Sequence, residues 1–160
     1  MNEFQRRGLD LAQNSLFLAS YIKANSDIVG ADSFGYGGQM DNIAANGVGS
    51  TSINILADSY FVCTYISAAA WITATGAASA ANFTIQITDK GTGKTFYNIP
   101  TLLSLVAGSA GFPFFLAAPR LIAPQTIIQL DVTNLTATAG ISLQVTLQGA
   151  RIFYGSNSGG

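Results

Sequence analysis

The chain is poor in charge. Asp, Glu, Lys and Arg together number 15 of 160 residues, and histidine is absent. An ordinary soluble domain of this length carries about 40 charged residues. A monomer of this size exposes ~7,600 Å², so the chain has only about one charge per 500 Å². Freely diffusing proteins keep a denser surface of mixed sign. A chain this neutral is expected to turn much of its surface toward other protein, as a subunit of a homo-oligomeric or larger assembly.

Other absences narrow the function. Without histidine, the commonest general acid and base is missing, and no enzyme activity, catalytic residue, cofactor or metal site is expected. The single cysteine, Cys63, allows no intrachain disulfide. It sits in the run SYFVCTYI and reads as a small buried hydrophobe. The net charge is −1, so no basic surface marks nucleic acid as the main partner. No stretch of 18 apolar residues is present to cross a membrane. The opening MNEFQRRGLDLAQ lacks the apolar segment of a secretory signal. Synthesis and assembly in a cytoplasm, without membrane association, are expected.

What the chain does have is alternation. In ISLQVTL (141–147), Ile141, Leu143, Val145 and Leu147 fall on one face, with Ser142, Gln144 and Thr146 on the other. FTIQITD (83–89) and IIQLDV (127–132) repeat the pattern. Period-2 alternation marks strands with one face in a core and one polar. Further strands are predicted over 51–57, 60–66, 94–98, 112–116, 119–123 and 150–154, separated by glycine- and proline-bearing turns. The expected fold is all-β: an antiparallel β-sandwich or jelly roll of about eight strands. The polar faces carry Thr, Gln, Ser and Asn in place of Lys and Glu. Residues 59–160 hold only six of the charges.

The first 50 residues read differently. Leu9, Ala12, Leu16 and Ala19 have the spacing to line a short helix, and the stretch from Gly30 to Ser50 is glycine-rich and loop-like. The expected organisation is an extended, loop-rich N-terminal arm over 1–50, a sandwich over 51–155 and a flexible tail over 156–160. Phe34 and Tyr36, set between glycines, read as anchors for a partner's pocket or as a local cap over the sandwich. With Phe4, Arg6 and Arg7 they make up the candidate assembly interface.

Two motifs have simpler readings than their chemistry suggests. Gly91-Thr92-Gly93-Lys94-Thr95 copies the second half of a phosphate-binding loop. However, Thr88 stands where the first glycine is required, and Pro100 follows in place of a helix. A β-hairpin with Asp89, Lys90 and Lys94 solvated at its tip is expected. Asp27, Asp32 and Asp41 lack the spacing of a calcium loop and read as solvated carboxylates. Asp58 and Asp131 have no acidic companion close in sequence.

APRLIAPQTIIQLDVTNLTATAGISLQVTLQGARIF (118–153), with ILADSYFVCTYI (55–66), resembles small β-sandwich structural proteins of bacteriophage particles. Pro119, Arg120, Pro124, Val132, Thr133, Asn134, Leu135 and Gly149 carry the likeness, which spans residues 51–154. It implies a virion component of minor capsid, cement or decoration type, located in the particle and contacting other virion proteins such as the major capsid protein. It supplies no catalytic residues. The alternative is a carbohydrate- or receptor-binding β-sandwich of a phage spike or fibre.

Overall fold

The computed structural model describes residues 28–80, 82–109 and 114–154. Two antiparallel sheets pack face to face as a β-sandwich. The strands in chain order are β1 (Ile28–Ile43), β2 (Val48–Asn54), β3 (Tyr60–Ile72), β4 (Phe83–Asp89), β5 (Lys94–Thr95), β6 (Thr101–Leu102), β7 (Phe114–Ile122), β8 (Ile127–Asn134) and β9 (Ile141–Tyr154). The first sheet runs β1-β9-β3-β7. The second runs β2-β8-β4, with β5 and β6 both on the far side of β4. Among the described residues the only helical turn is a 3₁₀ turn at Leu103–Leu105.

Alternation places the core. Ile128, Leu130 and Val132 of β8 and Phe83, Ile85 and Ile87 of β4 meet Ile141, Leu143, Val145 and Leu147 of β9, with Phe61 and Ile66 of β3. Successive strands mostly change sheets. The passages β1 to β2, β2 to β3, β3 to β4, β6 to β7, β7 to β8 and β8 to β9 all cross from one sheet to the other. Each crossing ties the two layers together at a corner. Asn134 holds one of these corners. Fully buried, its amide nitrogen reaches the carbonyls of Ile43, Ala44 and Ala139, and its oxygen accepts the Thr136 N–H at 2.9 Å.

The glycine-rich stretch is a strand where a loop is expected. β1 runs for 16 residues and pairs with β9 from Ile28 opposite Tyr154 to Ile43 opposite Ile141. Residues 28–50 therefore belong to the sandwich, whose boundary lies upstream of residue 51. Cross-strand pairing and burial override low strand propensity here. Tyr36, Met40 and Ile43 point into the core. Gly38 is itself buried, and a Cβ there would come within 3.0 Å of Leu130 and Thr51 side-chain carbons. Its missing side chain lets the sheets close. The expected helix at Leu9–Ala19 and the tail 156–160 lie outside the described residues.

Other boundaries moved as well. The expected strands 141–147 and 150–154 are one strand of 14 residues, continuous through Gly149. A single β7 replaces two short strands, its pairing to β3 jumping from Arg120 opposite Cys63 to Phe115 opposite Tyr65. Of 94–98, only Lys94–Thr95 joins a ladder. β3 extends well past residue 66, carrying Trp71.

Gly149 answers to a close approach. It lies opposite Cys63, where β3 is bulged between Cys63 and Tyr65. A Cβ there would collide with the Val62 carbonyl and lie 3.1 Å from the Cys63 Cα. Backbone cannot yield as a side chain can. Gly149→Ala is expected to cost about 3 kcal/mol and to lower the melting temperature by roughly 10 °C. Gly37→Ala has ordinary room, with Gln144 3.8 Å away, and should stay within ~1 kcal/mol of wild type. Thermal unfolding of both variants compares the two.

Asn134→Leu tests the corner. It removes every side-chain hydrogen bond that this buried amide makes to Ile43, Ala44, Ala139 and Thr136, and a loss of about 3 kcal/mol is expected. Denaturant unfolding should show a lower midpoint with an unchanged slope if the native state remains compact.

Candidate interaction surfaces

The candidate interface residues separate. Phe4, Arg6 and Arg7 lie outside the described residues. Tyr36 is no anchor for a partner: it is 6% exposed, and its ring meets Phe61 edge-on at 4.9 Å inside the core. Its hydroxyl accepts the Leu56 N–H at 3.1 Å. Alternation along β1 turned this side chain inward, which a loop reading could not anticipate.

Phe34 is half-buried at one end of the sandwich, edge-on to Tyr36 at 4.8 Å. The Arg151 guanidinium lies 4.1 Å from the Phe34 ring centre and 5.2 Å from that of Phe153. Such stacking favours a partly desolvated cation over a ring face. Arg151 also grips Asp32 with two hydrogen bonds, Nε to Oδ1 at 3.0 Å and Nη2 to Oδ2 at 2.6 Å. These bonds hold the Asp32 carboxyl below its ordinary range, and the carboxylate in turn pushes the Arg151 pKa upward. Asp32 is exposed, as expected of a solvated carboxylate, but it stands on a strand and pairs with Arg151 of β9 where a loop was expected. Because the folded-state pKa is depressed, this contribution is present above the ordinary carboxylate range and fades as pH falls through it.

Arg120 plays a similar local part across the sheets. Its Nη2 donates to the Phe96 carbonyl at 3.3 Å, and its guanidinium lies 5.6 Å from the Phe96 ring centre. It links β7 of the first sheet to the segment after β5.

The outer face of the second sheet is polar and almost neutral. Ser50, Ser52, Thr84, Gln86, Thr88, Gln129 and Thr133 share it with one carboxylate, Asp131. Asp131 accepts from Ser50 Oγ at 2.8 Å and from Gln129 Nε2 at 2.9 Å, and Gln129 also reaches Ser50 Oγ at 2.7 Å. This three-residue network, scattered in sequence, forms because β2 and β8 pair in register. A shallow cavity of about 400 Å³ opens beside it, with Val48, Thr84, Gln86, Pro100 and Thr133 among its walls. No aromatic ring lines it.

At one end of the first sheet the outer face is apolar. Val62 and Ile152 are fully buried there, and Tyr60 meets Tyr154 edge-on at 5.0 Å. Large apolar side chains exposed elsewhere include Val48 at 80%, Ile99 at 63% and Leu105 at 58%.

Cys63 is fully buried as expected, and burial pushes its thiol up to about 12. Among the described residues, no three Cys, Asp or Glu side chains cluster as metal ligands. No protein-family model matches the chain, and no curated protein matches it.

The phosphate-loop fragment is a hairpin turn. β4 and β5 pair through Asp89 opposite Lys94, and Gly93 takes a φ of +70°. Asp89 is only 8% exposed, which corrects its reading as a solvated tip. Its carboxylate accepts the Gly91 and Thr92 N–H groups at 2.9 and 3.2 Å and the Thr92 hydroxyl at 2.9 Å. The amides that a phosphate would need are already bonded to this carboxylate. Lys94→Ala should therefore alter stability by less than ~0.5 kcal/mol, whereas Asp89→Ala should cost about 2 kcal/mol. Calorimetric titration with ATP and Mg²⁺ should give no heat in wild type. Micromolar binding lost in Lys94→Ala would overturn the hairpin assignment.

Proposed function

We propose that the chain is a structural component of a phage particle, of minor capsid, cement or decoration type, acting through protein–protein contacts with other virion proteins. The observation that carries this reading is the neutral outer face of the second sheet. Three strands present eight uncharged polar side chains there, Asn54 included, with a single carboxylate and the apolar Val48 and Ile127 at the ends. Such a face can be buried against protein at little desolvation cost, because burying a charge is far more expensive than burying a hydrogen-bonding hydroxyl or amide. The exposed Val48, Ile99 and Leu105 add apolar area suited to contact. The sequence likeness over 51–154 points the same way.

Particles purified from a culture carrying this gene should contain the chain in fixed stoichiometry, read by peptide mass spectrometry after gradient sedimentation. Replacing Ser52 and Thr84 with Lys should leave the fold intact, since both side chains stand on the outer face. It should reduce incorporation at least tenfold. Wild-type protein that accumulates in cells but never sediments with particles would overturn the reading.

A further inference from the structure

Among the described residues, the first sheet ends at β1 in an edge without the usual protections. β1 is the longest strand, 16 residues or ~50 Å of extended chain. One of its sides pairs with β9, and no strand pairs with the other among the described residues. Natural edge strands are protected by lysine, proline, bulges or short length. β1 contains no Lys, Arg or Pro. Its register irregularities fall at its two ends, between Ile28 and Gly30 and between Met40 and Ile43. The regular stretch between them carries one charge, Asp32, already held by Arg151. Ser33, Gly35, Gly37 and Gln39 are exposed along it. The result, among the described residues, is a row of backbone donors and acceptors with no strand beside it.

We propose that this edge pairs with the same edge of a second copy of the chain, antiparallel, joining two four-stranded sheets into one continuous sheet of eight. The sequence of β1 is complementary to itself in that arrangement. Pairing centred on Tyr36 sets Gly35 opposite Gly37, Ser33 opposite Gln39 and Phe34 opposite Gly38, a large side chain beside none. Asp32 falls opposite Met40 and Asp41 opposite Ala31, so no carboxylate faces another. Like charges set directly opposite would destabilise such a pair. A two-fold contact of this kind uses one patch twice and closes on itself. The exposed Val48 begins β2, the edge strand of the second sheet, which packs beside β1 on the same flank. The inference deepens the assembly reading and rests on it only in supposing that copies of the chain meet.

Sedimentation velocity of the full chain at moderate salt is the first test, with Ser33→Lys/Gln39→Lys as the variant. Both positions are exposed, so folding should persist, checked by circular dichroism and thermal unfolding. The variant sets an ammonium opposite an ammonium twice in the dimer. Wild type should sediment as a dimer or larger, and the variant should associate at least tenfold more weakly. A short bismaleimide then locates the contact. Cys63 is fully buried, so wild type should not react. Gly37→Cys should cross-link into dimers, and Ser104→Cys, exposed in the 3₁₀ turn beyond β6, should not. Wild type that stays monomeric at tens of micromolar would overturn the proposal. So would a double-lysine variant that associates as tightly as wild type, or Gly37→Cys that fails to cross-link. Those failures leave particle incorporation of wild type, and with it the assembly reading, standing. Dimers that never enter particles would sink the assembly reading and leave the edge contact.

Discussion

The register of β9 governs the rest of the molecule. It is the inner strand that fixes both β1 and β3, pairing with each along most of its 14 residues. Ile141, Leu143, Val145 and Leu147 must all face inward at once. A slip of one residue would send the whole set to the outer face. Gly149 permits that register: only a residue without a Cβ can lie against the Val62 carbonyl at the β3 bulge. The bulge absorbs one residue of β3, so the pairing continues beyond it to Tyr60 opposite Ile152.

Given that register, the crossing connections decide which edges remain open. β9 and β3 are interior, and β7 closes one flank of the first sheet, where Arg120 reaches across to Phe96. The opposite flank belongs to β1 and β2, the first two described strands, joined through a corner that Asn134 secures from beneath. Nothing in the described chain pairs beyond them. Several of the few charges are engaged within the chain: Arg151 with Asp32, Asp89 with its own turn, and Asp131 with Ser50 and Gln129. Around the few exposed charges the described surface is mostly neutral and polar, with scattered apolar side chains and an unpaired strand edge. Those are the features on which the proposed role in assembly rests.

Much of the fold was legible in the sequence where local pattern and tertiary demand agree. β4, β8 and the first half of β9 alternate strictly, and their inward residues are those the alternation names. Cys63 and the Gly91–Thr95 hairpin likewise followed from their immediate neighbours. The candidate site was much less legible. Phe34 and Tyr36 looked like loop anchors because glycine dominates their surroundings, and glycine has low strand propensity in isolation. Asp89 looked solvated because a carboxylate beside a turn is usually exposed; its Asx-type contact with Gly91 is local, but its burial is set by the packing of β4.

The sequence by itself determined an all-β chain, its principal inward faces and its shortage of charge, since alternation and composition are local quantities. Only the tertiary structure decided that residues 28–43 are a strand, because β9 supplies the hydrogen bonds and Leu130 and Thr51 the close packing that make glycine acceptable there. It also brought Ser50 to Gln129 and Asp131, and Arg151 to Asp32 and Phe34. Those contacts join residues some 80 to 120 positions apart, and strand pairing across such separations leaves no mark in any short stretch of chain.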